Sequence, residues 1–285
     1  MNFAAEEMIL REMTDATCRA IRTAEIYLPG DVKHRLELAY ECEQIPVARE
    51  ILGHILQNIK LAEEKQAPLC QDTGIPVLYV TMPDGFAFTQ KMRAAVMAGI
   101  IKATEKVPLR PNLVDPETRH NTNNNVGIDM PPIHILPGET CTITVLPKGA
   151  GSENASRIKM FLPTEKEGIK QFVTETVLLA GGRPCPPIVV GVGIGGTFDI
   201  CAALAKEALL EPIDSMTPQE KEMCDEINSL GIGPMGLGGA TTCLAVKIKT
   251  AGCHTASLPV AVNIQCWACR RATEEVKIEE NPCMS

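Results

Sequence analysis

The sequence lacks the features that would place the protein in a membrane or on nucleic acid. None of its apolar runs approaches the roughly 18 residues that a membrane-spanning helix needs. The first residues lack the basic and apolar regions of a signal peptide, so we expect a cytoplasmic protein with no membrane partner. A net charge of -8 with scattered basic residues argues against nucleic-acid binding. An anionic substrate would therefore need selected arginine or lysine side chains.

Internal repeats and large compositional bias are also missing. No period of roughly 20 to 50 residues recurs, which argues against a solenoid. The 285 residues are 45% hydrophobic and 22% charged, which is typical of a soluble globular protein with one or two cores.

Cysteine, by contrast, is abundant, with 12 residues spread along the chain. In a chain of this size they indicate reduced thiols, a subset of which binds metal, rather than a disulfide framework. Several lie in helical or strand-like patterns and are interpreted as small core or surface residues. These are Cys18, Cys42, Cys141, Cys201, Cys224 and Cys243.

The hydrophobic pattern predicts an α+β fold with a helical N-terminal cap followed by a mixed α/β region with mainly antiparallel or mixed sheets. Helical spacing over 6–25, a helix start at 29–31 and a third helix from Pro46 to about Glu64 define a cap region, 1–66. In the remainder, 67–285, predicted helices alternate with predicted strands. Its predicted helices are 89–106, 165–179 and 199–210, and its predicted strands are 75–80, 142–146, 186–193, 243–248 and 259–264.

The segment 70–74 places a thiol and a carboxylate in one turn, with the sequence Cys-Gln-Asp-Thr-Gly. Pro68 disfavours helix before it, and Gly74 permits a tight reversal into the following strand. Such a loop suits a metal ligand, Cys70, and a proton carrier, Asp72. A buried thiol beside a turn-capping aspartate is the structural alternative.

Two further loops hold groups suited to an anionic ligand. Arg110 lies between two prolines, where its guanidinium could bind a carboxylate bidentately, or could simply be solvated. The small, polar segment 148–156 allows backbone N–H groups to approach an anion. Its lysine precedes the glycines, so it does not match the phosphate-binding P-loop.

Two more segments contain cysteines whose surroundings need an explanation. Cys185 lies between prolines, which bar a helix and hinder strand pairing there. The block from His254 to Arg271 contains a histidine, a strand and the pair Cys266 and Cys269. That pair has zinc-like spacing, but no second such pair completes four ligands. Its near-terminal position also does not match a thioredoxin-type redox motif.

Together these segments resemble the class I, iron–sulfur-dependent fumarate hydratases. The resemblance is closest to the separate α subunit of two-subunit fumarases and of L-tartrate dehydratases, which corresponds to the N-terminal domain of the one-chain enzymes. It rests on the motifs at 70–74, 148–154 and 185–187 and on the block from His254 to Cys266, and it covers nearly the whole chain.

The resemblance implies a [4Fe–4S] cluster with three cysteine ligands and one open iron. Carried over motif by motif, the ligands are Cys70, Cys185 and Cys266. Cys269 is ambiguous, but Cys266 has the family's position relative to His254. An iron without a protein ligand acts as a Lewis acid rather than in electron transfer.

The implied reaction is the reversible hydration of a C4 dicarboxylate, fumarate, to (S)-malate. By resemblance, Asp72 and His254 belong to the catalytic constellation, in proton transfer or water positioning. The residues that contact substrate would be Gln71, Arg110, Gly151 and Asn154.

A separate β subunit of roughly 180 to 200 residues is expected to complete the active site, in an α2β2 assembly. The segments 148–156 and 192–198 look more like fumarase than tartrate dehydratase, although Ala150 replaces the second glycine of the usual triple. L-Tartrate or methylfumarate is the alternative substrate. Two functions of a different class stay open at this point: a redox or electron-transfer iron–sulfur protein using Cys266 and Cys269, and a subunit without a cluster.

Overall fold

Helices and two four-stranded sheets make up the part of the chain that the structure describes. The computed structural model describes residues 3–277, so Cys283 lies outside the described residues. The helices are α1 (Phe3–Ile26), α2 (Gly30–Cys42), α3 (Pro46–Lys65), α4 (Gln90–Lys106), α5 (Ala150–Glu153), α6 (Ile169–Ala180), α7 (Phe198–Ala208) and α8 (Pro218–Ser229). The strands are β1 (Ile75–Pro83), β2 (Ile133–Gly138), β3 (Thr142–Lys148), β4 (Arg157–Phe161), β5 (Ile188–Gly196), β6 (Cys243–Cys253), β7 (Leu258–Gln265) and β8 (Ala272–Glu275).

The described chain divides into two compact units, each built from separate stretches of sequence. The first unit contains 3–27, 62–148 and 270–277. The second contains 28–61 and 149–269. The helical N-terminal region is therefore shared: α1 lies in the first unit, whereas α2 and most of α3 lie in the second.

The first unit is built on a mixed sheet with the strand order β2-β1-β3-β8. β1 runs parallel to β2 and antiparallel to β3, and β8 pairs antiparallel with β3. Helices α1 and α4 pack together, and α1 also contacts β3 and β8. Their buried apolar residues form the core of the unit, which includes Met13, Ile21, Leu78, Ile100 and Ile143.

The second unit is built on a mixed sheet with the strand order β4-β7-β5-β6. β5 is parallel to β6 and antiparallel to β7. Val189, near the start of β5, lies opposite Gln265, the last residue of β7. The segment before β5 and the segment after β7 therefore leave the sheet at the same end.

The predicted α+β fold with mixed sheets is confirmed. The three N-terminal helices are present, and the helix predicted from residue 89 is α4. Thr89 is its N-cap, and the threonine hydroxyl accepts a hydrogen bond from the backbone N–H of Met92. This interaction satisfies one of the backbone donors left unpaired at a helix start. None of the helices between residues 3 and 277 is long and apolar enough to cross a bilayer.

Other predicted boundaries were wrong or missing. The helix predicted from Glu165 begins only at Ile169, because Pro163–Gly168 form a 3-10 turn in which the Glu165 carboxylate accepts a hydrogen bond from Leu162 N–H. Strands β2, β4 and β8 were not predicted. β8 is only four residues long and half-exposed, so it has little apolar pattern.

Helix α8 carries a signal that the sequence analysis did not use to define its bounds. The Thr217 hydroxyl accepts a hydrogen bond from Glu220 N–H, and the Glu220 carboxylate accepts one from Thr217 N–H at 2.8 Å. This reciprocal pair is a capping box, and Pro218 occupies the first turn. The predicted helical position of Cys224 is confirmed.

Candidate functional site

The loop that carries Cys70 in the first unit is held by hydrogen bonds on both sides of that residue. Leu69 N–H donates to the carbonyl of Glu25 at 2.8 Å. The Thr73 hydroxyl accepts a hydrogen bond from Arg110 N–H at 3.1 Å. The Asn112 amide donates to the Gly74 carbonyl at 3.1 Å. The half-buried Cys70 and the exposed Gln71 therefore lie on a loop whose flanks are fixed.

The carboxylate of Asp72 is oriented by its own turn. Its Oδ1 accepts a hydrogen bond from Gly74 N–H at 3.0 Å and lies 3.4 Å from the Asn112 amide nitrogen. Aspartate commonly stabilises a turn in this way, as the structural interpretation of the motif predicted. The bond holds the carboxylate in one direction, which also suits a group that moves a proton at a fixed position.

Arg110 lies beside the Cys70 loop and presents an uncommitted cation. Its backbone is fixed by Thr73 and by the buried Asn125, whose amide donates to the Arg110 carbonyl at 3.2 Å. Its side chain is exposed, and the guanidinium makes no hydrogen bond or ion pair within residues 3–277. A guanidinium in this state can bind a carboxylate bidentately without giving up another partner.

Replacing Gly74 with alanine is expected to destabilise the first unit strongly. Gly74 has a φ of +70°, and a Cβ there would lie 2.6 to 2.8 Å from backbone atoms of Lys148. The backbone conformation and the close contact together should cost roughly 2 to 5 kcal/mol. In the matched control Gly85→Ala, φ is +82° but nothing lies within 4 Å, so about 1 kcal/mol is expected. Urea denaturation measures both losses, and equal losses would contradict the importance of the Lys148 contact.

A buried ion pair lies behind the same loop. Arg270 Nη1 donates to Glu25 Oε2 at 2.6 Å, and both residues are 1% exposed. Arg270 Nη2 donates to the Asp72 carbonyl at 2.9 Å. Burial raises the pKa of Glu25 to about 7, although the neighbouring Arg270 opposes this by favouring the charged form. Neither Glu25 nor Arg270 was among the predicted site residues.

In the second unit, Cys185 occupies a strained turn just before β5. Its φ is +54°, which is uncommon for a residue other than glycine. Its N–H donates to the Gly182 carbonyl at 3.1 Å, and its carbonyl accepts from Trp267 N–H at 3.2 Å. The backbone is thus tied on both sides while the residue is exposed. Backbone strain of this kind concentrates at functional sites.

Cys266 lies at the same end of the sheet as Cys185. Cys266 follows the last residue of β7, and the bond from Trp267 to Cys185 connects the two cysteine segments directly. Cys266 is half-buried, whereas Cys269 is 0% exposed. Accessibility therefore separates the two cysteines of the Cys-x-x-Cys pair.

The segment containing Gly151 and Asn154 joins these cysteines. A Cβ at Gly151 would lie 3.2 Å from the carbonyl oxygen of Arg183, close to Cys185. The hydroxyl of Ser152 lies 3.4 Å from the side-chain oxygen of Gln265, the residue before Cys266. Gly151 and Asn154 are both exposed. Three distant motifs of the sequence therefore meet at one end of the second unit.

His254 does not share that location. It lies in the exposed turn between β6 and β7, at the opposite end of β7 from Cys266. Eight strand residues separate the two ends, which is roughly 25 Å at the rise of an extended chain. Its Nδ1 accepts a hydrogen bond from Ala256 N–H at 3.0 Å, so the neutral ring carries its proton on Nε2.

Three of the other described cysteines, Cys141, Cys201 and Cys243, differ from the candidate ligands because they are buried. The eleven cysteines in residues 3–277 are present as thiols. Burial raises the pKa of Cys141 and Cys201 to about 11 and raises that of Cys243 well above its ordinary value. These thiols resist the deprotonation that metal ligation requires.

The three cysteines predicted as cluster ligands belong to different units. Cys70 belongs to the first unit, and Cys185 and Cys266 belong to the second. Within either unit, no three His, Cys, Asp or Glu side chains of the described residues form a metal-binding group. The second unit therefore supplies two of the predicted ligands, from segments joined by the backbone hydrogen bond between Trp267 and Cys185.

Several residues that build the site were not predicted from sequence. Gln265 is fully buried at the end of an apolar strand, where a polar residue is unusual, and this is the signal that could have indicated it. The others were not predicted as site residues, although some lie in the motifs described above, because their role depends on contacts with distant segments. They are Glu25, Thr73, Asn112, Asn125, Ser152 and Arg270.

Comparison with known proteins gives consistent results along the chain. A family profile described as Fumarate hydratase (Fumerase) matches residues 14–275. A protein of Methanocaldococcus jannaschii, named provisionally as an L(+)-tartrate dehydratase subunit alpha, is 49% identical over 281 residues, covering 94% of this chain and 99% of the relative. The L(+)-tartrate dehydratase subunit alpha of Escherichia coli K12 is 30% identical over 283 residues, covering 96% of this chain and 93% of the relative.

Proposed function

Because the chain belongs to the fumarate hydratase family and is a hydro-lyase, we propose that it is the α subunit of a [4Fe–4S]-dependent enzyme that reversibly hydrates fumarate to (S)-malate. The observation that carries this proposal is the meeting of the Gly151, Cys185 and Cys266 segments at one end of the second unit. These motifs are far apart in sequence.

The proposed ligands of the cluster are Cys70, Cys185 and Cys266, and the chemistry of this donor set fits an iron–sulfur cluster. All three are at least partly accessible, and the segments of Cys185 and Cys266 are joined by a backbone hydrogen bond. Cys269 fits less well, because its complete burial leaves no room beside the thiol for a bulky inorganic group. A cluster held by three thiolates has one iron without a protein ligand, which supplies a Lewis acid for the substrate hydroxyl.

The substrate would be held by side chains and backbone of three segments, which are the Cys70 loop, the loop of Arg110 and the polar segment 148–156. The proposed contacts are the Arg110 guanidinium, the exposed amide of Gln71, and the exposed polar segment containing Gly151 and Asn154. Arg110 would neutralise one carboxylate of the dicarboxylate and fix its orientation. Holding the reacting atoms in one geometry removes much of the entropic part of the barrier.

Proton transfer is assigned to Asp72 and His254. The turn that orients the Asp72 carboxylate supports its part of the assignment. His254 has weaker support, because it lies roughly 25 Å along β7 from the end that carries Cys266.

L-Tartrate is the second candidate substrate, because the Methanocaldococcus jannaschii and Escherichia coli relatives are named as tartrate dehydratase subunits. Tartrate is malate with one additional hydroxyl, and a site that fits malate is expected to reject an analogue with an added hydroxyl by about a hundredfold.

The complete enzyme, reconstituted from this chain and its β subunit with iron and sulfide, tests the substrate directly. We expect kcat/KM for (S)-malate dehydration to exceed that for L-tartrate by about a hundredfold. The reverse ratio would replace fumarate by tartrate and leave the hydro-lyase assignment intact. Denatured β subunit in the same mixture is the control for uncatalysed turnover.

A further inference from the structure

The Cys70 loop is attached at two residues to the buried ion pair of Glu25 and Arg270. Leu69 and Asp72 are tied through their backbones to Glu25 and Arg270. Cys70 and Gln71 lie between these two attachment points. Any group that fixes both attachment points restricts the backbone from which these two side chains project.

Glu25 and Arg270 act on both attachment points at once. The Glu25 carbonyl accepts the hydrogen bond from Leu69 N–H at 2.8 Å, and its carboxylate binds Arg270 at 2.6 Å. Arg270 in turn donates to the Asp72 carbonyl at 2.9 Å. The three bonds form a closed path from residue 69 through Glu25 and Arg270 to residue 72.

The chemistry of this path favours a positioning role over a purely stabilising one. Taking an arginine and a glutamate out of water is costly, and apolar residues of the same volume often stabilise a core better than a buried ion pair. Arg270 and Glu25 nevertheless lie at 1% exposure. A guanidinium can donate to a carboxylate and to a carbonyl in fixed directions, which an ammonium group cannot reproduce.

We propose that Arg270, held by Glu25, is a positioning residue that fixes the Cys70 loop so that the thiol of Cys70 and the amide of Gln71 keep their directions. This inference rests on the proposed function for its catalytic meaning. The hydrogen bonds by which Arg270 and Glu25 hold the loop lie within the first unit.

The first test uses the full chain without iron and measures alkylation of individual cysteines by mass spectrometry. In Arg270→Lys, we expect the alkylation rate of Cys70 to rise about tenfold, because one hydrogen bond to a charged group is lost. The rate of Cys141, buried in the core of the same unit, should not change. Glu25→Gln, which is nearly isosteric and keeps an acceptor for Arg270, should give a smaller rise with the same selectivity.

The matched control is the exposed pair Arg11 and Glu7 on α1, joined at 2.7 Å. Arg11→Lys and Glu7→Gln should leave both rates unchanged. If Cys70 and Cys141 become reactive together, Arg270 only stabilises the unit and the proposal is wrong. An unchanged Cys70 rate in both Arg270→Lys and Glu25→Gln also contradicts it.

A second readout connects the loop to the reaction. In the reconstituted enzyme, Arg270→Lys should lower kcat by about tenfold at an unchanged iron content, with Glu25→Gln between it and the wild type. Wild-type kcat in both variants would overturn the catalytic part of the proposal. If the wild-type chain holds no cluster, the proposed function fails, whereas the alkylation result still decides the role of Arg270.

Discussion

Replacing Cys185 with serine is expected to abolish both the cluster and hydration activity in the reconstituted enzyme. The exposed turn at Cys185 offers no neighbouring thiol in its own segment as a substitute, and serine is a poor ligand for iron–sulfur clusters. Loss of a metal Lewis acid removes several kcal/mol of transition-state stabilisation, so kcat should fall by about a thousandfold or more. Iron and sulfide analysis of anaerobically purified protein measures the cluster separately from activity.

Two other cysteines provide the controls for this experiment. Cys269→Ser should keep the iron and sulfide content, although its buried position predicts some loss of stability. Cys42→Ser, at an exposed helix end, should behave as the wild type. A Cys269→Ser variant that alone lost the cluster would show that the third ligand is Cys269 and not Cys266. Loss of neither iron nor activity in Cys185→Ser would remove the cluster assignment.

The isolated chain is expected to bind the cluster yet to hydrate fumarate at no more than about a thousandth of the rate of the reconstituted enzyme. A C4 dicarboxylate carries two negative charges, and Arg110 can neutralise one of them. Arg183 is engaged with the carbonyls of Leu179 and Ala180, and Arg270 with Glu25 and Asp72. The relatives are named as α subunits, which implies a separate β subunit, and we expect that subunit to bind the second carboxylate.

The measurement is fumarate hydration by the iron-loaded chain before and after addition of the β subunit. Restoration should saturate at an equal molar ratio of the two chains. Full activity of the chain alone, at an iron and sulfide content equal to that of the complex, would contradict the requirement for a second subunit. Adding the β subunit without this chain is the control for contaminating activity.

Local chemistry explains which parts of the fold the sequence could predict. Prolines and apolar spacing identified the N-terminal helices and α4, because these signals act within a few residues. β8 carries no such signal, since its pairing with β3 depends on chain that is distant in sequence. The 3-10 turn before α6 was missed for a different reason, because the apolar spacing does not show that the Glu165 side chain binds the Leu162 backbone and delays the helix.

In the candidate site too, features set by neighbouring residues could be predicted, whereas contacts between distant segments could not. Flanking prolines correctly indicated an unusual position at Cys185, and the structure gives it a strained, exposed backbone. The partnership of Arg270 with Glu25 joins opposite ends of the sequence and has no local signature. The separation of His254 from Cys266, however, was already contained in the predicted strand 259–264 that lies between them, because a strand of that length holds its ends far apart.

The discontinuous first unit has a consequence for biosynthesis. Its last segments, Arg270 and β8, reach the ribosome exit only after all of 149–269 has been made. Synthesis of the second unit is therefore finished before the first unit can acquire β8 and the buried Arg270. During that interval the Glu25 carboxylate lacks Arg270, and the edge of β3 that later pairs with β8 is unpaired. An unpaired strand edge favours association with other chains. We expect the first unit to be the part of the newly made chain that most needs a chaperone.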